Sequence, residues 1–176
     1  MLYKISCLLF IRDPIGRILL IKRKKPPNIG TWSPPGGKLE MTAGESPYEC
    51  AKREAYEETR LNLCDQDLNL FGYVSEKSYE GNGHWLMFLF DCLPILEDIP
   101  NEIDEGYFDF FSRKEIESLS IPPSDHKLVW PFYDRKDEGF WGVRTDCSKG
   151  IPNLEATVLN NKILAFSDAF KFGKYF

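Results

Sequence analysis

Histidines and paired cysteines are scarce in this sequence, and each scarcity excludes a kind of site. His84 and His126 are the only histidines and have no paired metal-ligand spacing, so a histidine-based metal site is not expected. The five cysteines are scattered, odd in number and without a CxxC pair, which indicates neither a disulfide framework nor a zinc knuckle. We therefore expect a protein of the reducing cytoplasm.

The sequence also lacks an excess of positive charge and a long apolar run. Its 22 Lys and Arg residues stand against 27 Asp and Glu residues, and the formal net charge of −5 argues against a protein that grips a nucleic-acid polymer. No stretch approaches the roughly 18 apolar residues of a membrane span. The apolar segment 5–11 is interrupted by Arg12-Asp13 and is predicted to be a buried strand rather than a targeting signal. We expect no membrane partner and a small anionic substrate.

The length of 176 residues and the apolar content of 43% suit a single domain over residues 1–176. Two β-rich runs, 2–11 and 18–22, flank a turn containing Pro and Gly and predict a hairpin. Strands on both sides of a long helix predict a mixed α/β sandwich rather than a repeating βαβ fold. The other predicted elements are strands at 68–75, 84–93, 107–111, 140–145 and 154–159, a turn at 80–83, and a short helix at 113–119.

The long helix is predicted over Pro47–Thr59 from the residues at its start. Ser46 provides a hydroxyl at the N-cap, Pro47 stands at the first helical position, and Glu49 completes a capping box. The preceding segment 30–44 is rich in Gly and Pro, including Pro34-Pro35-Gly36-Gly37, where missing side chains allow close backbone approach. Such a loop is typical of a backbone that comes near a ligand.

Three carboxylates share one face of the predicted helix, which we name the acidic helix face. Glu54, Glu57 and Glu58 lie at i, i+3 and i+4, where like charges oppose each other unless a cation lies between them. The alternative is a solvated face with salt bridges, since Arg53 lies four residues from both Glu49 and Glu57. Glu54 and Glu58 have no basic partner at that spacing, so charge pairing explains only part of the pattern.

The neighbouring loop favours the metal interpretation. Carboxylate oxygens and a carbonyl from Gly36 or Gly37 are hard ligands that suit Mg²⁺, which takes its remaining ligands from water and phosphate. A cation bridging phosphate oxygens would neutralise charge, and a nearby carboxylate would deprotonate the attacking water. The pattern therefore predicts water attack at phosphorus.

Residues 37–61 resemble the signature of the Nudix family: Gly, five residues, Glu, seven residues, then Arg-Glu-x-x-Glu-Glu-x-Gly and an aliphatic residue. Seven residues separate Glu45 from Arg53, as in the family pattern. The sequence departs from the pattern twice. The loop before Glu45 carries two additional residues, assigned to 41–43, and Arg60 replaces the glycine that most easily adopts a left-handed conformation after a helix.

The resemblance implies the Nudix fold, an α/β/α sandwich with a mixed sheet and a catalytic loop-helix-loop. It implies an Mg²⁺-dependent nucleotide pyrophosphohydrolase, in which Mn²⁺ could substitute. An acidic segment at 101–106 is similar to one that supplies a further ligand or base in such proteins, although a solvated loop is an equal alternative. The implied metal ligands are Gly36, Glu54, Glu57, Glu58 and Glu102, and the implied catalytic residues are Arg53, which orients a carboxylate, Glu57, Glu58 and Glu105.

Substrate contacts are predicted from a basic cluster at 22–25 and from a weaker resemblance to the oxidised-purine nucleoside triphosphatases. Arg23 would hold phosphate, although a merely solvated strand end explains it nearly as well. Among the aromatic residues, Trp85, Phe88 and Trp141 are further candidates for stacking, but core burial is the commoner role of any one. The predicted substrate-binding residues are Arg23, Trp32, Ser33, Gly37, Lys38, Asp125 and Trp130.

The leading hypothesis is hydrolysis of a nucleoside triphosphate, oxidised purines included, to the monophosphate and pyrophosphate. Alternative substrates are ADP-ribose, NADH or another dinucleotide. A rival of another class is a catalytically inactive Nudix-fold module that binds a nucleotide or a protein, which the longer loop would favour. A monomer and a homodimer are both compatible with the sequence.

Overall fold

The computed structural model describes residues 3–79, 83–149 and 156–161. The predicted turn at 80–83 and the start of the last predicted strand lie largely outside these ranges. One two-residue strand, Trp32–Ser33, and two short helices, Asp125–Leu128 and Trp130–Tyr133, were not predicted. Within the described ranges the elements are β1 (Tyr3–Arg12), β2 (Ile18–Arg23), β3 (Trp32–Ser33), α1 (Pro47–Thr59), β4 (Leu68–Lys77), β5 (His84–Ile95), β6 (Gly106–Phe111), α2 (Arg113–Ile116), α3 (Asp125–Leu128), α4 (Trp130–Tyr133), β7 (Phe140–Asp146) and β8 (Ala156–Asn161).

The strands form one mixed sheet in the order β3-β2-β1-β5-β4-β7-β8, with β6 paired to β2. The pairs β1–β5 and β4–β7 are parallel, and the other pairs are antiparallel. The predicted hairpin is present, but β1 and β2 pair only at Arg12 and Ile18 before β2 turns to β6. This divergence leaves the first half of β1 open on one side, where the Gly-rich loop pairs instead.

Both faces of the sheet are covered, and the alternation of side chains along β1 shows how. Leu9 points towards α1 and packs in a core cluster with Ala51 and Ala55 of that helix. Phe10 points to the opposite face and packs in a second cluster with Trp130 of α4. The result is an α/β/α sandwich, as the resemblance implied. Within the described residues, no helix is long and apolar enough to cross a membrane.

Helix α1 begins and ends where the sequence predicted. The Ser46 hydroxyl accepts a hydrogen bond from the backbone N–H of Glu49, and the Glu49 carboxylate accepts one from the N–H of Ser46 at 2.8 Å. Small residues on the buried side, Cys50, Ala51 and Ala55, allow the helix to lie close to the sheet. This close packing leaves the acidic helix face at the edge of the core.

Arg60 ends α1 in the left-handed conformation that the family's glycine would adopt. Its φ angle is 61°, and its N–H donates a hydrogen bond to the Tyr56 carbonyl at 3.0 Å. The Arg60 guanidinium carbon lies 5.4 Å from the centre of the Tyr56 ring. The substitution therefore preserves the geometry of the helix end at the expense of backbone strain, partly offset by this cation–π contact.

We expect Arg60→Gly to be more stable than Arg60→Ala by roughly 0.5–1 kcal/mol in the free energy of unfolding, because only glycine adopts positive φ without strain. Both variants lack the guanidinium, so their difference in stability reports on the backbone conformation at position 60. Urea unfolding measures the difference. Equal midpoints, or a more stable alanine variant, would show that the left-handed conformation is not strained.

Candidate active site

A cavity of about 570 Å³ opens where the Gly-rich loop, α1 and strands β1, β4 and β5 meet. It gathers side chains from segments far apart in sequence, which is typical of a ligand site. The acidic helix face lies on its wall together with the Gly-rich loop. The predicted site residues that line the cavity are Arg23, Ser33, Gly36, Gly37, Lys38, Glu54, Glu57, Glu58, Glu105 and Asp125.

Two predicted tryptophans lie in the core rather than on the cavity wall. Trp32 packs edge-on against Tyr107 and Phe111. Trp130 is 1% exposed and packs edge-on against Phe10, because the first residue of α4 points into the sheet. Of the aromatic candidates for stacking, it is Trp85 that lines the cavity.

The Gly-rich loop is bonded directly to the open side of β1. The Cys7 N–H donates to the Gly37 carbonyl at 2.9 Å, and the Leu9 N–H donates to the Pro35 carbonyl at 2.8 Å. A Cβ on Gly36, where φ is 137°, would overlap the Cys7 carbonyl, and a Cβ on Gly37 would overlap the Glu54 carboxylate. Gly36 is therefore needed for the loop to approach β1, whereas a side chain at position 37 would displace the Glu54 carboxylate.

Glu58 is the most enclosed residue of the acidic helix face, with 8% of its surface exposed. Its carboxylate accepts a hydrogen bond from the Gly36 N–H at 2.8 Å. Burial raises the pKa of Glu58 to about 8, although that hydrogen bond acts in the opposite direction. Burial also raises the pKa of Glu54, against the opposing effect of the Arg53 hydrogen bond. A cation beside these two carboxyls would lower the pKa of both.

The donor set fits a hard divalent cation. The carboxyls of Glu54 and Glu58 supply oxygen, and a cation beside them would restore their ionised forms. The Gly37 carbonyl already accepts a hydrogen bond, which favours Gly36 as the source of a backbone oxygen. Glu57 is half exposed and lies 3.1 Å from the Arg53 guanidinium. Among the described residues, no three His, Cys, Asp or Glu side chains already form a metal cluster.

Arg53 connects the helix to the loop through several hydrogen bonds. Its Nε and Nη2 atoms donate to the two carboxylate oxygens of Glu45 at 2.8 and 3.0 Å. Its Nη1 donates to Glu54 at 2.7 Å, and its Nη2 also donates to the Lys38 carbonyl at 3.0 Å. The Arg53 hydrogen bond lowers the pKa of Glu45. Arg53 thus holds the Glu54 carboxylate in one orientation, as a positioning residue does.

The two additional loop residues do not displace Glu45 from Arg53. Residues Met41–Ala43 form an exposed turn of 3₁₀ helix, and Gly44 closes it in the left-handed conformation. The Glu40 N–H then donates to the Glu45 carboxylate at 2.7 Å. The longer loop therefore projects into solvent, and its ends meet where a shorter loop would join.

The acidic segment and the basic cluster bind each other. Lys24 forms a close ion pair with Glu102, and the Lys25 ammonium lies 3.3 Å from the Glu105 carboxylate. Glu105 lines the cavity, whereas Glu102 is exposed outside it, where its carboxylate pairs with Lys24. Arg23 also lines the cavity, and its Nε donates to the Pro27 carbonyl at 2.8 Å. Of the two nominated acids, Glu105 is the one near the acidic helix face.

Another part of the wall carries polar groups suited to an organic ligand. Asp125 at the start of α3 is buried, and its carboxylate lies 3.4 Å from the Ser124 hydroxyl. Burial raises the pKa of Asp125 to about 7. Three residues that were not predicted from the sequence also line the cavity: Glu76, Tyr79 and Asn28. The sequence held one signal for Glu76: it is a charged residue at a position where the alternation along β4 predicts a buried side chain.

The raised pKa of Asp125 predicts a pH-dependent effect on stability. The folded state holds this proton up to about pH 7 and the unfolded state only to about pH 4, so the energetic penalty of burial grows as pH rises between those values. We expect the unfolding free energy of Asp125→Asn, relative to the unmodified protein, to increase by about 3 kcal/mol between pH 4.5 and pH 7.5. Urea unfolding at both pH values measures it. A difference independent of pH would show that Asp125 ionises normally.

The NUDIX domain family model matches residues 2–135. The chain therefore belongs to the Nudix family of pyrophosphohydrolases, whose members generally use a divalent metal ion. The predicted family and enzyme class are confirmed.

Individual relatives differ in the substrates that their names indicate. The chain is 32% identical over 128 residues to an ADP-ribose pyrophosphatase from Methanocaldococcus jannaschii, an alignment that covers 70% of this chain and 69% of that protein. A MutT protein from Bacillus halodurans is similar in structure, with a TM-score of 0.67 and 24% identity over 88% of this chain and 97% of that one. The NUDIX domain of Shewanella oneidensis NrtR, solved with ADP ribose, has a TM-score of 0.61 and 18% identity, covering 77% of this chain and 88% of that one. The two structural likenesses show the fold.

Proposed function

We propose that this chain hydrolyses a nucleoside triphosphate to the monophosphate and pyrophosphate with Mg²⁺, an oxidised purine base included among its substrates. The observation that carries the proposal is the shared cavity, in which the acidic helix face and the buried carboxyl of Asp125 line different parts of one wall. The first suits a metal-bound phosphate chain, and the second suits a base that donates hydrogen bonds.

In this proposal, Glu54, Glu58 and the Gly36 carbonyl would hold the cation, and Glu57, which now contacts Arg53, would complete the set. The bound cation supplies charge neutralisation at the phosphate oxygens. Arg53 keeps Glu54 oriented, while Arg23 and Lys38 on the cavity wall offset the charge of the remaining phosphates. Glu105, or Glu57 when it does not bind the cation, is the carboxylate available to take the proton from the attacking water. Phosphorus–oxygen bond cleavage then releases pyrophosphate.

A second candidate is hydrolysis of ADP-ribose, which the name of the M. jannaschii relative favours. That reaction cleaves the same kind of linkage, but it gives AMP and ribose 5-phosphate instead of pyrophosphate. The acidic helix face would serve both reactions. The two substrates differ in what the remainder of the cavity must hold, a terminal phosphate or a second ribose.

Product analysis separates these candidates. The purified chain is incubated with natural and oxidised purine triphosphates, ADP-ribose, NADH and dinucleoside polyphosphates, with and without Mg²⁺, and the products are resolved by anion-exchange chromatography. We expect Mg²⁺-dependent pyrophosphate and monophosphate from a purine triphosphate. Turnover of ADP-ribose alone would replace the proposal by the second candidate. Nucleotide binding without any turnover would indicate the inactive module.

A further inference from the structure

Glu76 is a buried acid at an unusual position, the interior of the sheet. It lies on β4 between Trp85 of β5 and Thr145 of β7, and only 2% of its surface is exposed. Burying a carboxylate among strands is unfavourable unless partners compensate for the lost hydration. Glu76 keeps interactions within the protein, yet its side chain also lines the cavity. A carboxylate has about four acceptor positions and can accept further hydrogen bonds from a ligand.

Glu76 lies across the sheet from the Gly-rich loop, on the side where the base of a bound nucleotide would lie. The Gly-rich loop pairs with β1, β1 pairs with β5, and β5 pairs with β4. Three strand spacings of about 4.8 Å therefore separate the loop from β4, roughly 14 Å in all. With phosphates at the acidic helix face, the base extends over β5, where Trp85 and Met87 line the cavity.

An ionised Glu76 carboxylate on the cavity wall selects for hydrogen-bond donors. Ionised carboxylates only accept hydrogen bonds, and a planar group with two adjacent N–H donors satisfies both oxygens at once. Guanine has such a pair, its N1–H and its 2-amino group, whereas hypoxanthine lacks the amino group. A site built around a hydrogen bond discriminates strongly against an analogue that lacks the donor, because its buried acceptor is then left unsatisfied.

We propose that Glu76 is a specificity-determining residue, whose carboxylate accepts hydrogen bonds from adjacent N–H donors of an aminopurine such as guanine. The proposal rests on the proposed function only in assigning phosphates to the acidic helix face. Asp125 of α3 lines the same cavity and is a second acidic group available to the base. Pyrimidine diones and hypoxanthine, which offer fewer donors, bind more weakly.

The test compares GMP with IMP, which differ only in the 2-amino group, by calorimetric binding in the presence of Mg²⁺. The variants are Glu76→Gln, which preserves size, and Asp91→Asn, a matched control that removes another buried sheet carboxylate outside the cavity. We expect the unmodified chain and Asp91→Asn to bind GMP about 10- to 100-fold more tightly than IMP. In Glu76→Gln this ratio falls below about 3, with IMP binding unchanged.

Two results would overturn the proposal. One is an equal affinity of the unmodified chain for GMP and IMP, or no binding of either. The other is an equal loss of both affinities in Glu76→Gln, which indicates a structural role. Hydrolysis of GTP is measured in parallel. A chain that discriminates GMP from IMP through Glu76 but does not hydrolyse GTP would contradict the proposed function and leave this inference intact.

Discussion

Replacing Glu58 by Gln is expected to lower kcat about 10³-fold, a loss comparable to that of removing one electrostatic stabiliser of the transition state. The amide keeps the size of the side chain and can still accept the Gly36 N–H bond, but it cannot supply an anionic oxygen to a cation. Glu97→Gln, which removes an exposed carboxylate, is the control and should leave kcat unchanged. Mg²⁺-dependent turnover of the panel substrate is the measurement.

The melting temperature shows whether the Glu58→Gln variant loses activity through lost chemistry or through unfolding. Because the pKa of Glu58 is raised to about 8 in the folded state, its burial without a cation destabilises the fold increasingly as pH rises from about 4 to about 8, and the Gln variant lacks this penalty. The metal-free variant should therefore melt at the same temperature or higher. Mg²⁺ should raise the melting temperature of the unmodified chain but hardly that of the variant. Retained turnover with intact folding would refute the assignment of Glu58.

Arg53→Lys is expected to lower kcat about 10- to 100-fold, although the positive charge is retained. A lysine ammonium cannot bond both oxygens of Glu45 while also reaching Glu54 and the Lys38 carbonyl, because these contacts use the planar guanidinium fork. The Glu54 carboxylate would then lose its fixed orientation. The neighbouring Lys52→Gln, which removes only an exposed ion pair with Asp65, is the matched control.

The Mg²⁺ concentration that gives half-maximal rate distinguishes positioning from direct chemistry. If Arg53 acts through Glu54, the lysine variant should need a higher Mg²⁺ concentration and recover part of its activity there. A lower kcat with an unchanged Mg²⁺ requirement would mean that Arg53 acts elsewhere in the reaction. Activity equal to that of Lys52→Gln would exclude a functional role for the guanidinium fork.

Local chemistry made the long helix predictable. Ser46, Pro47 and Glu49 satisfy the free N–H groups at its start, and this requirement does not depend on the rest of the chain. The spacing of the acidic helix face follows from the helical period alone. The left-handed end at Arg60 was less predictable, since an arginine there gives no sign that it will adopt a positive φ angle.

Packing determines which of several chemically similar residues lines the cavity. Glu102 and Glu105 lie in one acidic segment, and their ion pairs with Lys24 and Lys25 determine which carboxylate lines the cavity. Glu76 follows the end of its predicted strand, so it was not among the predicted site residues. Its relation to the site arises only because β4 pairs with β5. Such long-range pairings leave no local pattern in the sequence.

The acidic helix, its capped start, the glycines that approach it and the family of the chain could all be predicted from local sequence. Each of these depends on interactions between residues close together along the chain, or on a motif of about 25 residues. Long-range packing was needed to show that Trp32 and Trp130 belong to the core, that the longer loop leaves Glu45 bonded to Arg53, and that Glu76 and Asp125 share a cavity. These outcomes depend on which strands become neighbours, and that is set by burial of the whole sheet between its two helical layers.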